Sequence, residues 1–154
     1  MGEDPYLAGQ MGAAGIQGVQ SQGVMAMVKH YAVYNQETNR NTPADNAIVD
    51  PRTEQEIHLP AFSAAVHQGG AAAVMCAYST INGAPACDDP YLVNTVLKGQ
   101  FGFGGFVASD WGATKDGVRS AADGPPGAAA PASTRRGSPP RCRASAPGSP
   151  PPAR

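Results

Sequence analysis

Three short apolar runs stand out in the first 110 residues, and each stops abruptly at polar or charged side chains. They cover residues 24–31, 71–78 and 105–109. Continuous apolar runs of this length, set off by turn residues, are typical of strands that are buried on both faces of a parallel sheet. The pattern therefore predicts three buried strands.

The segments before and between these runs have the composition and spacing of helices. Residues 6–21 place Leu7, Met11, Ala14 and Gly18 on one helical face, although internal glycines weaken the pattern. This spacing predicts the first helix, which comes before the first strand.

A second helix is predicted between the first two strands. Thr53 and Glu56 have the spacing of a capping box, which marks a helix start. Pro60 lies inside the helical pattern and is expected to kink it. The consecutive glycines Gly69 and Gly70 are expected to end it.

A third helix is expected to begin at Asp89, with Pro90 in its first turn, and to end at Gly99. Helix and strand then alternate three times, which is typical of an α/β fold with a parallel sheet covered by helices. Because three strands cannot close a barrel, the predicted fold class is a partial (β/α)8 TIM barrel, an architecture of roughly 250 residues when complete.

The composition changes sharply after Gly124. Residues 1–120 carry six Lys and Arg against eleven Asp and Glu, whereas residues 121–154 carry five Arg and one Asp. The last segment has no Leu, Ile, Val, Phe, Tyr or Trp, so it cannot bury enough apolar surface to order itself. We expect a folded domain over residues 1–123 and a disordered Pro/Arg-rich tail over 124–154. A basic arm for an anionic surface and a simply solvated terminus both stay open.

Several function classes are disfavoured by features that the sequence lacks. No run approaches the roughly 18 apolar residues of a membrane helix, no apolar leader segment is visible, and no cluster has metal-ligand spacing. The sequence thus indicates no membrane partner, no nucleic-acid partner, no metal and no cofactor, and it leaves the compartment undetermined. Cys76 and Cys87 could bridge a short loop, and two free thiols are the equal alternative.

Each predicted strand ends in side chains that can do chemistry. Lys29 and His30 end the first strand, Tyr78 ends the second, and Asp110 with Trp111 follows the third. Ligands of parallel α/β folds bind beyond the carboxyl ends of the strands, so these residues are expected to converge around one sugar-sized hollow. Other readings stay open: a helix N-cap for Asp110, a surface pair for Lys29 and His30, and a core position for Tyr78.

Four blocks of this sequence carry a resemblance to a known family. They read "GEDPYLAG", "VKHYAVYNQETNR", "VMCAYSTINGAPACDDPYL" and "LKGQFGFGGFVASDWGA". In this order they resemble the N-terminal barrel domain of glycoside hydrolase family 3, the β-glucosidase and β-xylosidase group. The resemblance covers residues 2–123, and the tail has no counterpart in it.

The resemblance implies a role for each strand-end residue. Asp110 matches the catalytic nucleophile, and Trp111 matches the aromatic platform beside it. Lys29 and His30 match a pair that binds sugar hydroxyls, and Tyr78 matches a tyrosine that approaches the nucleophile and the sugar. A lysine near Asp110 is expected to keep that carboxylate ionised, because an opposite charge favours the charged form.

The resemblance also implies a reaction, the retaining hydrolysis of terminal β-linked glycosides, and a β-linked saccharide as the partner. Cys76 and Cys87 match a pair that is bridged in some members. No residue matches the acid/base, which comes from a second α/β domain in the glucosidase branch. We therefore expect little or no turnover by this chain without the missing barrel half and second domain. A non-catalytic sugar-binding remnant is the alternative.

Overall fold

A three-stranded parallel sheet forms the centre of the computed structural model, which describes residues 2–118. Its strands are β1 (Met27–Tyr31), β3 (Ala73–Cys76) and β6 (Phe106–Ser109), in the order β1-β3-β6. Val74 of β3 pairs with Val28 on one side and with Val107 on the other. The predicted strands and their parallel arrangement are thus confirmed, although each strand is shorter than its apolar run.

A second, smaller sheet lies in the connections. Here β2 (Asn46–Ala47) runs parallel to β4 (Thr80–Ile81), which pairs antiparallel with β5 (Ala84–Pro85). Asn82 and Gly83 form the turn between β4 and β5, with φ of 50° and 90°. Asn-Gly is a preferred sequence for a two-residue hairpin, because both positions take positive φ.

Helices cover the sheet and precede its strands. They are α1 (Pro5–Gln20), α2 (Pro51–Thr53) with a π-helical turn (Glu54–His58), α3 (Pro60–His67), a short turn (Ala86–Asp88) and the π-helical α4 (Tyr91–Gln100). The alternation of helices with parallel strands confirms the predicted α/β class.

The predicted start of the second helix is wrong. The N-cap is Asp50, three residues before Thr53, and its side chain accepts hydrogen bonds from the backbone N–H groups of Arg52 and Thr53. Thr53 lies inside the helix and donates its hydroxyl to Asp50 at 2.6 Å. Asp50 takes the cap because Pro51, with its fixed φ and missing N–H, favours the first helical position.

The structure also shows how the second helix is interrupted and where the third helix ends. A break at Leu59 separates the π-helical turn from α3, which starts at Pro60. The α4 helix runs past Gly99 to Gln100, so the predicted end at Gly99 is wrong. Gly102, with φ of 63°, takes the left-handed conformation that follows a helix end.

The buried face of α1 is not the one that carries the large apolar residues. Gly9, Ala13 and Ile16 are buried, whereas Leu7 is 48% exposed and Met11 is 52% exposed. The buried face packs on α3 so closely that a Cβ at Gly9 would lie 3.0 Å from the Ala64 Cβ. The small residues of α1 therefore face α3.

The core lies between the sheet and α4. Tyr31, Val74, Leu92, Val96 and Leu97 are fully buried. The Tyr31 hydroxyl donates to the Leu92 carbonyl at 2.9 Å, and burial raises the pKa of the Tyr31 phenol well above its ordinary value. This packing fixes the sheet from which the strand-end side chains project. The predicted tail, residues 124–154, and its boundary lie outside the described residues.

Candidate active site

The carboxyl ends of the three parallel strands bring three predicted site residues together. His30 lies on β1, Tyr78 follows β3 by two residues, and Asp110 follows β6 directly. Parallel strands end at the same edge of a sheet, so these side chains converge although 80 residues separate the first from the last.

Asp110 is the centre of this group. Its Oδ2 lies 3.2 Å from His30 Nε2, and its side chain is 14% exposed. Its Oδ1 accepts the Trp111 backbone N–H at 2.7 Å. Residues 111–113 form a turn rather than a helix, so Asp110 is not the N-cap of a helix that starts directly after it.

Tyr78 is the second group on the Asp110 carboxylate. Burial raises the pKa of the Tyr78 phenol above its ordinary value, and the Asp110 carboxylate raises it further through its charge and through hydrogen bonding. The Tyr78 hydroxyl therefore keeps its proton at neutral pH and lies within the influence of the Asp110 charge.

Tyr34 belongs to the same cluster and was missed in the sequence. Its ring centroid lies 5.4 Å from that of His30 and 6.1 Å from that of Tyr78. Burial and the Glu37 carboxylate raise the pKa of the Tyr34 phenol. The sequence pattern could have indicated Tyr34, because it lies shortly after β1, just as Tyr78 lies shortly after β3, and both strands end at the same edge of the sheet.

Arg40 lies on the outer side of the cluster. Its guanidinium carbon lies 5.6 Å from the centroid of the Tyr78 ring, the geometry of a cation–π contact. Its Nη1 also contacts Glu37 Oε2 at 2.9 Å. Both side chains are largely exposed, so this ion pair contributes little to stability. The position of Arg40 matters more, because its guanidinium lies beside the Tyr78 ring.

Lys29 does not contact Asp110 in the way that the sequence indicated. Among residues 2–118, no ion pair within 4.0 Å joins the two, and His30 takes that place. Lys29 and His30, joined by a cis peptide bond, instead line a hollow of about 600 Å³ together with Tyr34 and Phe62. Trp111 is 83% exposed beside Asp110.

The expected single hollow is divided in two. Tyr78 lines a different hollow, of about 550 Å³, together with Asn41 and Lys115. Tyr34, which lines the hollow of Lys29 and His30, contacts the rings of both His30 and Tyr78. Tyr34 thus lies against residues that line each of the two hollows.

A disulfide bond joins Cys76 and Cys87 beside the cluster, with their Cα atoms 5.2 Å apart. Cys76 ends β3 and pairs in register with Ser109, the residue before Asp110. The bond therefore ties the turn that contains Cys87 to the edge of the sheet.

Two further features of residues 2–118 bear on the function class. No group of three or more His, Cys, Asp and Glu side chains there could hold a metal ion. No helix in this range has both the length and the apolar character needed to cross a membrane.

In fold, the chain is similar to barrel-type enzymes that cleave glycosides. It belongs to glycosyl hydrolase family 3, because the Glycosyl hydrolase family 3 N terminal domain matches residues 1–130. This match confirms the resemblance and the barrel-type fold that the sequence indicated.

The relatives of the chain are much longer than the chain itself. "Probable beta-glucosidase L" of Emericella nidulans is 50% identical over 121 residues, 79% of this chain and 16% of that protein. "Thermostable beta-glucosidase B" of Acetivibrio thermocellus is 47% identical over 116 residues, 75% of this chain and 15% of that protein. β-Glucosidase 3B from Thermotoga neapolitana in complex with glucose matches with a TM-score of 0.76 at 42% identity, over 79% of this chain and 17% of that one.

Proposed function

We propose that this chain forms the nucleophile-bearing part of a sugar site that hydrolyses β-linked glucosides with retention of configuration. The observation that carries the proposal is the pairing of Asp110 with His30 at 3.2 Å, with Tyr78 close enough for the Asp110 charge to raise the pKa of its phenol. The matched relatives are named β-glucosidases, and one of them holds glucose. The chain spans about one sixth of their length, so the activity of the whole enzyme is part of the proposal.

In this proposal, Asp110 attacks the anomeric carbon while the bond to the leaving oxygen breaks. The resulting glycosyl ester is then hydrolysed by water, which restores the carboxylate. Contacts on both oxygens fix the orientation of the nucleophile, with His30 at Oδ2 and the Trp111 backbone N–H at Oδ1. A carboxylate held in this way loses little freedom when it reacts.

The sugar itself would be held by the hollow that Lys29 and His30 line, which His30 connects to Asp110. At about 600 Å³ the hollow that Lys29 and His30 line is within the usual size of a small-molecule site. The Lys29 ammonium carries N–H donors for sugar hydroxyls, whereas His30, whose Nε2 contacts Asp110, has only its Nδ1 left for a hydroxyl. The exposed Trp111 ring offers an apolar face for the C–H groups of a second sugar or an aglycone.

The proton donor is the part that these contacts do not supply. A retaining glycosidase needs a second carboxyl group about 5–5.5 Å from the nucleophile. Among residues 2–118, the groups in contact with the Asp110 carboxylate are His30, Tyr78 and the Trp111 backbone. Glu37, in the same cluster, is paired with Arg40. We therefore expect no measurable steady-state turnover of alkyl glucosides by this chain.

The experiment is single-turnover labelling of the nucleophile. A fluorinated β-glucoside with a dinitrophenolate leaving group needs no proton donor, and its fluorine slows release of the glycosyl ester. Intact-mass and peptide analysis are expected to show one adduct, on Asp110. The adduct is lost in Asp110→Asn and kept in the control Asp50→Asn, which changes a carboxylate at the start of α2. An adduct on a different carboxylate, or none, contradicts the proposal.

A second candidate is a sugar-binding segment that performs no chemistry. It is favoured by one observation, the lack of a carboxylic acid among the groups that contact Asp110 in residues 2–118. Glucose would then shift the NMR resonances of His30 and Tyr78 while the fluorinated glucoside left the protein unlabelled. A shift together with labelling at Asp110 excludes it.

A further inference from the structure

A buried carboxylate outside the cluster anchors the loop that carries the nucleophile. Asp88 is 4% exposed and lies in the short turn Ala86–Asp88 that follows β5. Its Oδ2 accepts the backbone N–H of Lys115 at 2.9 Å and that of Asp116 at 3.0 Å. Hydrogen bonds from N–H groups to a charged oxygen are among the stronger ones in proteins.

Those two N–H groups belong to the nucleophile loop, residues 110–116. Little of this loop packs against the protein, because Ala113 is buried while Trp111, Gly112, Lys115 and Asp116 are exposed. Hydrogen bonds hold it instead. At its start the Ala113 N–H donates to the Asp110 carbonyl at 3.1 Å, and the Thr114 N–H donates to Ser109 Oγ at 3.1 Å.

Asp88 is itself fixed relative to the sheet. Its neighbour Cys87 is bonded to Cys76 at the end of β3, and Cys76 pairs in register with Ser109 at the end of β6. Both ends of the nucleophile loop are therefore tied to the same sheet edge. One end is tied through the chain itself, and the other through Asp88 and the disulfide.

We propose that Asp88 is a positioning residue, which sets the place of Asp110 and Trp111 by holding the far end of the nucleophile loop. It acts through the Lys115 and Asp116 backbone and touches no substrate. The catalytic meaning of this role rests on the proposed function of Asp110, whereas the anchoring of the loop does not. Removing the charge of Asp88 weakens both bonds, and the loop then moves away from the geometry that His30 and Tyr78 recognise.

The first test is spectroscopic and needs no sugar. In Asp88→Asn, which keeps the shape of the side chain, the amide protons of Lys115 and Asp116 are expected to move upfield because their acceptor has lost its charge. Trp111, the only tryptophan of the chain, gains local mobility, which lowers its fluorescence anisotropy. Unchanged amide resonances of Val74 and Leu92 show that the core is intact.

Asp89→Asn is the matched control, one residue further along. The Asp89 carboxylate accepts the Tyr91 N–H at 2.9 Å, at the start of α4 rather than in the nucleophile loop. This variant is expected to leave the resonances of Lys115, Asp116 and Trp111 in place. If Asp88→Asn leaves them in place too, or if Asp89→Asn moves them equally, the proposal is overturned.

The second test joins the anchor to the nucleophile. Labelling of Asp110 by the fluorinated glucoside is expected to slow about tenfold to a hundredfold in Asp88→Asn, the scale that small misplacements of reacting groups produce. Shifted loop resonances with an unchanged labelling rate overturn the positioning role. A wild-type chain that is never labelled contradicts the proposed function instead, while the loop resonances still decide whether Asp88 holds the loop.

Discussion

The carboxylate of Asp110 is held by an imidazole and a backbone N–H, with a phenol nearby, where the sequence favoured a lysine. Adjacency in the sequence could not decide between Lys29 and His30 as its neighbour, because that depends on how the two side chains leave the strand. His30 lies 3.2 Å from Asp110, and Lys29 is exposed. Tyr34 fills the space between His30 and Tyr78, a contact that only the folded chain reveals.

The charge of Asp110 should be visible at Tyr78. Because that charge and its hydrogen bond raise the pKa of the Tyr78 phenol, Asp110→Asn is expected to lower this pKa toward its ordinary value. Burial still holds it above that value. Titration of ¹³C-labelled tyrosine by NMR measures the change, and Asp116→Asn is the control. An identical titration curve in both variants contradicts the contact.

Glu54 provides a prediction about the dependence of stability on pH. Burial raises the pKa of this carboxyl, and the Asp89 charge adds to the effect. The folded pKa therefore lies above the unfolded one, so stability falls as pH rises through it and is fully retained below the unfolded pKa. Glu54→Gln is expected to raise the free energy of unfolding by on the order of 1 kcal/mol at neutral pH.

The gain should vanish below about pH 4, where the carboxyl is protonated in both states. Urea denaturation at neutral pH and below about pH 4 measures this gain in the free energy of unfolding. Glu56→Gln is the control, because Glu56 is exposed and paired with Arg52. An equal gain from Glu54→Gln at both pH values would show that charge burial is not its cause.

At the scale of elements, short sequence signals were more reliable than periodicity. Asp4-Pro5, Asp50-Pro51 and Asp89-Pro90 each begin a helix, and each aspartate accepts backbone N–H groups of the first turn. At Asp50 this signal is a better guide to the helix start than the capping-box spacing of Thr53 and Glu56. The Asn82-Gly83 dipeptide is likewise a local signal for the β4–β5 hairpin.

The α1 helix shows why periodicity alone selected the wrong face. Counting large apolar side chains selects Leu7 and Met11, but the close approach of α3 leaves room only for Gly9 and Ala13. A partner helix that comes this near selects for small residues, and the sequence of α1 by itself does not show how near its partner lies.

Substitution by alanine should therefore have different effects on stability at two glycines of α1. A Cβ at Gly15 would meet nothing within 4 Å, so Gly15→Ala is expected to stabilise the chain by up to about 1 kcal/mol through helix propensity. A Cβ at Gly9 would lie 3.0 Å from Ala64, so Gly9→Ala is expected to gain nothing or to destabilise. Urea denaturation followed by circular dichroism compares the two, and equal gains would contradict the close packing.

At the scale of the whole molecule, large apolar side chains remain exposed on α1 and at the start of β1. Leu7, Met11, Met25 and Met27 are each at least 37% exposed. Among residues 2–118, β1 and β6 each have a neighbouring strand on one side only. Exposed apolar side chains beside an unpaired strand edge favour association.

We predict that the chain self-associates and that charged side chains at positions 11 and 25 reduce this association. Met11→Glu with Met25→Lys is expected to shift the sedimentation profile toward monomer. Ile48→Lys is the control, because Ile48 is 79% exposed but lies after β2, away from β1. A wild-type chain that sediments as a monomer at every concentration contradicts the prediction.

Among residues 2–118, β1 and β6 are the two edge strands of the sheet, and they also determine the form that this association takes. If β6 of one copy adds in parallel to β1 of the next, the two contacting surfaces differ, so the join is head-to-tail. Joins of this type do not saturate at a dimer: they continue as an open-ended stack unless the turn between copies closes a ring. The twist between neighbouring strands, rather than the strength of any single contact, would then decide between a filament and a closed cylinder.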